Sequence, residues 1–263
     1  MTKFQMTITI NGEIYTTAQL KRFKYERALH VLHELQALGV NLPAEDGHAL
    51  TSIELNWLDP DAAMALLVKA HETLGQTGTR ALFSPVLADS DRRWHAWNER
   101  PITTQGVRLG TTHIQVQGID IKAYQAQMQT AQNGATPFQI MPEHYLVSGD
   151  VTGGRQTIME TFGMLGEPTL TYGTASQTIP VYVPVKRLAD HPALMSGETF
   201  LVADDLNIHV GAIHQVQPLP DGLDIQSTFF CPHNAPAAIA EGHTIHFALE
   251  LGGLFTLIAG RTH

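Results

Sequence analysis

The chain contains a single cysteine, Cys231. No intrachain disulfide can form, which fits a reducing compartment. Cations are also scarce: 16 Lys and Arg stand against 25 Asp and Glu, a formal charge of −9. Binding phosphates needs clustered Lys and Arg, so neither nucleic acid nor an anionic membrane is an expected partner. The densest basic group is Lys21, Arg22, Lys24 and Arg27. It alternates with apolar positions of one predicted helix and reads as a solvated face. No run of about eighteen apolar residues occurs, so no membrane-spanning helix is expected. The N-terminus, MTKFQMTITINGEIYTT, lacks a basic region followed by a long apolar one, so no signal peptide is expected. The cytoplasm is the expected location. P-loop, GxSxG, CxxC and HExxH patterns are missing. No base is placed beside Cys231, which favours a structural thiol over a nucleophile.

Apolar residues are plentiful. They make up 43% of 263 residues, enough for a sizeable core. Residues 4–10 alternate as a strand does and end at the turn Asn11-Gly12. A helix follows, capped by Thr16 or Thr17, with Ala28, Val31, Leu32 and Leu35 among its periodic apolar positions, and it stops at Gly39. A second helix is predicted from Asp59 or Asp61 to about Leu74. Residues 77–101 scatter Gly, Pro, Asp and Ser and read as a connection, with WHAW at 94–97 packing there.

From Ile102 the pattern changes to strand-like runs: VRLGTTHIQVQ, RQTIMETFGML, TLTYGTA, TFLVAD, IHVGAIHQVQPL and LDIQSTFFC. A helix, IDIKAYQAQMQTAQ, sits between the first two, and LPDG at 219–222 reads as a hairpin turn. A long apolar helix over about 235–258 closes the chain. Hairpin-linked strands followed by one terminal helix predict an α+β fold, a curved antiparallel sheet against that helix with a cavity between them. The expected division is a mainly helical part over 1–101 and a catalytic or ligand-binding domain over 102–263.

Fourteen histidines are the unusual part of the composition. His246 and Glu250 lie four apart on the terminal helix and so share a face, with His243 one turn earlier. The residues around them are apolar, and a carboxylate among such neighbours is costly unless paired or bound to a cation. A His and a Glu one turn apart can ligate a zinc-like ion, although such a pair taken alone more often means a satisfied core histidine and a rim carboxylate. Glu160 sits in an uncharged alternating run, on one face with Ile158 and Phe162. It is either at a sheet edge or facing a polar cavity. MPEHY at 141–145 adds Glu143 and His144. His209 and His214 are an odd number apart, so on a regular strand they face opposite ways.

The MPEHY segment, the IMETFG strand, the IHVGAIHQVQPLPDGLDIQSTFF hairpin and the GHTIHFALE helix resemble the bacterial 2,4-diacetylphloroglucinol and phloretin hydrolases over roughly residues 102–258. The resemblance implies a Bet v 1-like helix-grip domain. It also implies a zinc ion held by two His and two Glu, and hydrolysis of a carbon–carbon bond between an acyl group and a phenolic ring. Carried over by position, His246 and Glu250 match the helix pair and Glu160 the strand glutamate. The family's remaining histidine follows a tryptophan-rich helix. Here that helix, IDIKAYQAQMQTAQ, has neither Trp nor His, and the nearest candidates are Gln129 and His144. Either His144 replaces the missing ligand, or three protein ligands remain, or the metal is lost. Another divalent metal could occupy the same donors. By the same resemblance His214, in the HQV segment, is the favoured cavity-facing histidine and general acid, with Tyr172 and Asn207 as further catalytic candidates. Phe162, Phe229 and Phe247 are candidates for the cavity wall. The expected substrate is a small aromatic or apolar ketone. The resemblance and the exposed helix 17–38 are compatible with a homodimer.

Two other readings compete. One is a non-catalytic small-molecule binding module, since this architecture also hosts carriers. The other is a different metal-dependent reaction in the same pocket. Two carboxylates aimed into one cavity weigh against a carrier. The charge balance gives a first prediction: micromolar protein should produce no salt-sensitive shift of DNA or RNA in a gel, and such a shift would contradict it.

Overall fold

The computed structural model describes residues 3–119, 122, 134–150, 154–164 and 166–261. In chain order its elements are β1 (Gln5–Ile10), β2 (Glu13–Tyr15), α1 (Thr17–Ala37), α2 (Ser52–Trp57), α3 (Pro60–Leu82), α4 (Ser84–Trp97), α5 (Ile102–Gln105), β3 (Val107–Gln117), α6 (Thr136–Ile140), β4 (His144–Asp150), β5 (Arg155–Glu160), a 3-10 turn (Phe162–Met164), β6 (Thr169–Ser176), β7 (Ala193–Leu201), β8 (Asn207–Leu219), β9 (Gly222–Pro232) and α7 (Ala237–Arg261). The strands form one nine-stranded sheet in the order β2-β1-β3-β9-β8-β7-β6-β5-β4. Each pairing is antiparallel. The fold is α+β, a large antiparallel sheet with the C-terminal helix packed on it. Among the described residues no helix is long and apolar enough to cross a membrane.

The first hairpin turns at Asn11 and Gly12, both at positive φ, as Asn-Gly turns require. β1 then pairs with β3 from Gln5↔Gln117 to Ile10↔Thr112. Residues 5–15 therefore belong to the same sheet as the C-terminal strands, and the expected division after residue 101 runs across it. Thr16 caps α1, and its side chain and that of Gln19 bond each other's backbone in a capping box.

Residues 77–97 are helical but for the junction at Phe83, contrary to the connection expected there. Gly75 (φ 58, ψ 178) kinks α3 without ending it, and α4 follows at Ser84. Pro85 falls in the first turn of α4, where a missing N–H is tolerated. Trp94 of the WHAW segment is buried, and its Nε1 donates to Thr169 Oγ1 at 2.9 Å. β4 was not among the strand-like runs of the sequence, and β7 begins at Ala193 rather than near Thr199. The helix expected in IDIKAYQAQMQTAQ, with Gln129, lies almost wholly outside the described residues.

α7 carries apolar residues around its circumference and is covered on both sides. Ile239, Ala240 and Phe247 pack with Phe229 and Val210 of the sheet, and Phe255 and Ile258 with Ile8, Ile114 and Ile225. On the far side Leu249 meets Ile140 and Met141, with Leu20 and Phe23 of α1 beside them. A buried side chain of this size contributes about 1.5–3 kcal/mol. A separate cluster joins Val31, Leu32 and Leu35 of α1 and Leu67 of α3 to Leu146 and Met159, the opposite face of β4 and β5.

The 3-10 turn after β5 crosses α7 at very close range. A Cβ on Gly242 would lie 1.7 Å from the Gly163 carbonyl oxygen, and a Cβ on Gly163 would lie 2.4 Å from Ile239. This crossing brings the end of β5, with Glu160, against the turn of α7 that precedes His246. Gly242→Ala is therefore expected to destabilise the fold by about 1–3 kcal/mol or more by overpacking. Gly260→Ala, where a Cβ meets nothing within 4 Å, is the control and is expected to be neutral or stabilising. Urea melts of the two variants check this, and an unchanged G242A midpoint would refute it.

Candidate metal centre

The candidate site lies where β4, β5 and α7 meet. Glu160 ends β5 opposite His144, the first residue of β4, and a register shift between His144 and Leu146 re-aims the strand there. From α7, His246 and Glu250 project from successive turns of one face. His144 Nε2 lies 3.7 Å from Glu160 Oε2 and 3.9 Å from Glu250 Oε1. His246 Nε2 lies 3.4 Å from Glu160 Oε2 and 3.9 Å from Glu250 Oε2. One ligand atom each from His144, Glu160 and His246 lie within 4.8 Å of one another, and Glu250 joins through both of its oxygens.

The protonation pattern leaves this arrangement in need of a proton or a cation between its rings and its carboxyls. His144 Nδ1 sits 3.3 Å from the Pro137 carbonyl. A carbonyl only accepts, so Nδ1 carries the proton and Nε2 turns its lone pair towards the two carboxyls. Burial holds His144 down to about 4, offset in part by that carbonyl. Burial, then the neighbouring His243 and His144, hold His246 well below its ordinary value. Both rings are neutral near pH 7. Burial pushes the Glu160 carboxyl well above its ordinary range, with repulsion from Glu250 and Glu143 adding to it. Burial pushes Glu250 up to about 7. Imidazole lone pairs facing carboxylates repel unless a proton or a cation lies between them.

The donor set fits a divalent ion. Four N and O ligands at 2.0–2.1 Å in a tetrahedron stand about 3.3 Å apart. His144, Glu160 and His246 approach that spacing, with His–Glu distances of 3.4–3.7 Å, while Glu250 stands slightly further off at 3.9 Å from each ring, through a different oxygen for each. The bond from His144 to a backbone carbonyl is the kind of outer-shell contact that orients a ligating histidine.

The four residues line a cavity of about 220 Å³. Phe162, Phe229 and Phe247 all line it, together with Met195, Val210 and Leu251. His214 also lines it. Its Nδ1 pairs with Ser227 Oγ at 2.8 Å, and its ring stands edge-on to Phe247. Burial pushes His214 down to about 4. His209 takes positive φ, beside a register shift between β7 and β8, and its Nδ1 pairs with Asn98 Oδ1 at 2.8 Å. The sequence places His243 on the face of His246 but assigns it no partner. It stacks between Phe229 and His246 and accepts from the Gly163 N–H at 3.4 Å.

Two expected catalytic residues do not line the cavity. Tyr172 pairs with Thr157, whose neighbours Gln156 and Ile158 line the cavity, so strand alternation turns Tyr172 to the opposite face. There it stacks on Phe200 with the Arg155 guanidinium 3.5 Å over its ring. Asn207 Nδ2 donates to Glu198 Oε1 at 3.0 Å, and its Oδ1 accepts from the His209 N–H at 2.8 Å. That bond geometry belongs to the bend at the start of β8.

No model of a known family matches the chain, and no curated protein matches it. Among solved structures, the C-terminal domain of the Bacillus licheniformis BlaR penicillin receptor aligns over 95% of this chain and 91% of its own, at 10% identity and a TM-score of 0.17. So low a score carries no argument about fold or function.

The buried carboxyls give a pH prediction for metal-free protein. The folded value of Glu250 is about 7 against an ordinary 4.5. Between those values the folded state holds more protons than the unfolded one, so stability falls as pH rises through that window. Glu250→Gln removes this term. Part of the side chain is exposed, which screens the effect, so the variant is expected to gain about 1–2 kcal/mol over wild type at pH 8 and nothing at pH 4. Urea melts with chelator present measure it, and an identical difference at both pH values would refute it.

Proposed function

We propose that this chain is a metal-dependent hydrolase. It cleaves the carbon–carbon bond between an acyl group and a phenolic ring, as the resemblance to 2,4-diacetylphloroglucinol and phloretin hydrolases implies, in a Bet v 1-like helix-grip framework. One observation carries the reading. His144, Glu160, His246 and Glu250, chosen from the sequence on three separate segments, meet in the lining of a mostly apolar cavity.

A divalent ion of the zinc type, bound to those four residues, supplies Lewis-acid polarisation of the acyl carbonyl and lowers the pKa of water. Glu160 and Glu250 supply the negative charge that holds it, and the two neutral imidazoles supply lone pairs without adding repulsion. The phenylalanines hold the aromatic ring by apolar contact and exclude bulk water. A cavity of about 220 Å³ suits a one-ring ligand better than an extended one.

The reaction adds the oxygen of water to the acyl carbon and a proton to the ring carbon, giving a carboxylic acid and a phenol. An aryl carbanion is a poor leaving group, so the ring carbon takes its proton before the bond breaks. Phenolic oxygens favour this by letting the ring adopt a keto form. His214 is the candidate that holds this proton. Its low pKa makes it neutral near pH 7, so it acts as a fixed N–H donor, or as an acid only once an anionic substrate raises it.

The test is acid release from a panel of acylphloroglucinols and dihydrochalcones by zinc-loaded protein. Wild type is expected to release carboxylic acid from at least one of them. His214→Ala is expected to lower kcat about 100-fold, and Glu250→Ala to abolish both metal retention and turnover. Zinc-loaded wild type that releases no acid from any of them would end the hydrolase reading and leave a binding module or another metal-dependent reaction.

A further inference from the structure

Helix α1 reaches the centre through the residues on either side of His144. Arg27 and Glu34 lie seven apart, two turns along one face of α1. Arg27 Nη1 donates to Glu143 Oε1 at 3.2 Å, and the Tyr145 hydroxyl donates to Glu34 Oε2 at 2.5 Å. Glu143, His144 and Tyr145 are 0%, 4% and 1% exposed. Residues 143 and 145 point back to α1 while His144, between them, points into the cavity.

The same two side chains hold the Glu160 segment. Arg27 Nη1 also donates to the Met164 carbonyl at 3.0 Å, within the turn that follows Glu160. Thr161 Oγ1 donates to the Tyr145 hydroxyl at 3.5 Å. One turn earlier on α1, Lys24 Nζ donates to the Gln139 carbonyl in α6, the helix whose Pro137 carbonyl orients His144. Lys24 and Arg27 are thus half-buried and bonded to other elements, not on the solvated face the sequence suggested, whereas Arg22 does pair with Glu26 at the surface.

We infer that α1 is part of the metal centre's outer structure, with Arg27 and Tyr145 as positioning residues that fix His144 against Glu160. The inference rests on the metal-binding reading above. It differs from a purely structural role in one respect: loosening these contacts should weaken cation binding in protein that remains folded. Removing Arg27 alone would confuse two effects, because losing a nearby positive charge favours a cation while losing the clasp disfavours it. The paired Arg27→Met/Glu143→Gln variant removes both partners of the clasp; any positive charge it also loses favours the cation, so weaker binding reports lost geometry. Replacing both partners of a buried pair is also far gentler than removing one.

The experiment titrates Co2+ into metal-free protein, reading affinity by competition with a chelator and geometry by visible absorption, with thermal melts of the metal-free forms. R27M/E143Q and Tyr145→Phe are each expected to bind Co2+ about 10–100-fold more weakly than wild type, the range typical of lost outer-shell contacts, and to change the cobalt spectrum. Arg22→Met should bind as wild type does. A folded R27M/E143Q or Y145F with affinity within twofold of wild type would overturn the inference while leaving the metal centre standing. If R27M/E143Q does not fold, Y145F decides alone. Wild type that takes up no Co2+ or Zn2+ would overturn the centre and this inference together, and that failure appears before any variant is made.

Discussion

Helix α7 is apolar around nearly all of its surface, and such a helix is stable only when covered on every side. The sheet covers one side, through Phe229, Val210, Ile114 and Ile225. The other side is covered by Ile140, Met141 and the start of α1. Once α7 is enclosed, the polar residues on its covered faces are cut off from bulk water, unlike Glu241 and Thr256, which are exposed. His243 and His246 must find partners inside, and Glu250 must face whatever cavity remains. The location of the centre follows from this enclosure more than from any single polar contact.

Enclosure also needs close approach, and two glycines provide it. With Gly163 and Gly242 in backbone contact, the end of β5 lies directly against α7. A side chain at either position would hold the two segments apart by more than the difference between a hydrogen-bonding distance and no contact. Glu160 could not then stand 3.4 Å from His246. A packing requirement between small residues thereby sets a polar geometry.

Parts of this were legible in the sequence. β3 spans Val107–Gln117, the run VRLGTTHIQVQ itself, in which Ile114 and Val116 alternate with Gln115 and Gln117 and which Gly106 and Gly118 flank. The i, i+4 spacing of His246 and Glu250 and the isolated charge of Glu160 led to the centre for the same reason: periodicity fixes direction once the element type is known. The failures share a cause as well. Tyr172 lies on the far face because its strand register was set by its neighbours rather than by its own polarity. α4 was hidden by a composition of Pro, Asp and Ser that suits loops, yet its Pro falls in the first turn. Lys24 and Arg27 were read as solvated because a single sequence gives no sign that partners over a hundred residues away approach them.

Between α1 and the cavity, Glu34, Glu143, Glu160 and Glu250 crowd into one region, and Arg27 pairs with Glu143 among them. Each of the four carboxyls is held above its ordinary range, with Glu34 and Glu250 near 7 and Glu143 near 8. Burial is the largest cause in each case, and repulsion between carboxyls adds to it for Glu34, Glu143 and Glu160. The Arg27 guanidinium alone cannot offset four such groups. The remaining charge must be met by protons or by an external cation. Protons would suffice at acid pH. Near neutrality Glu34 and Glu143 can keep theirs, since Glu34 shares a short bond with Tyr145 and one oxygen of Glu143 has no partner. Glu160 and Glu250 differ, because each faces two histidine Nε2 atoms at 3.4–3.9 Å, where either a carboxyl proton or a cation can lie between them. A divalent ion placed there offsets two charges at once and accepts the lone pairs. Of the four acids, these two are therefore the ones suited to ligate, while the pair nearer α1 is suited to hold the scaffold.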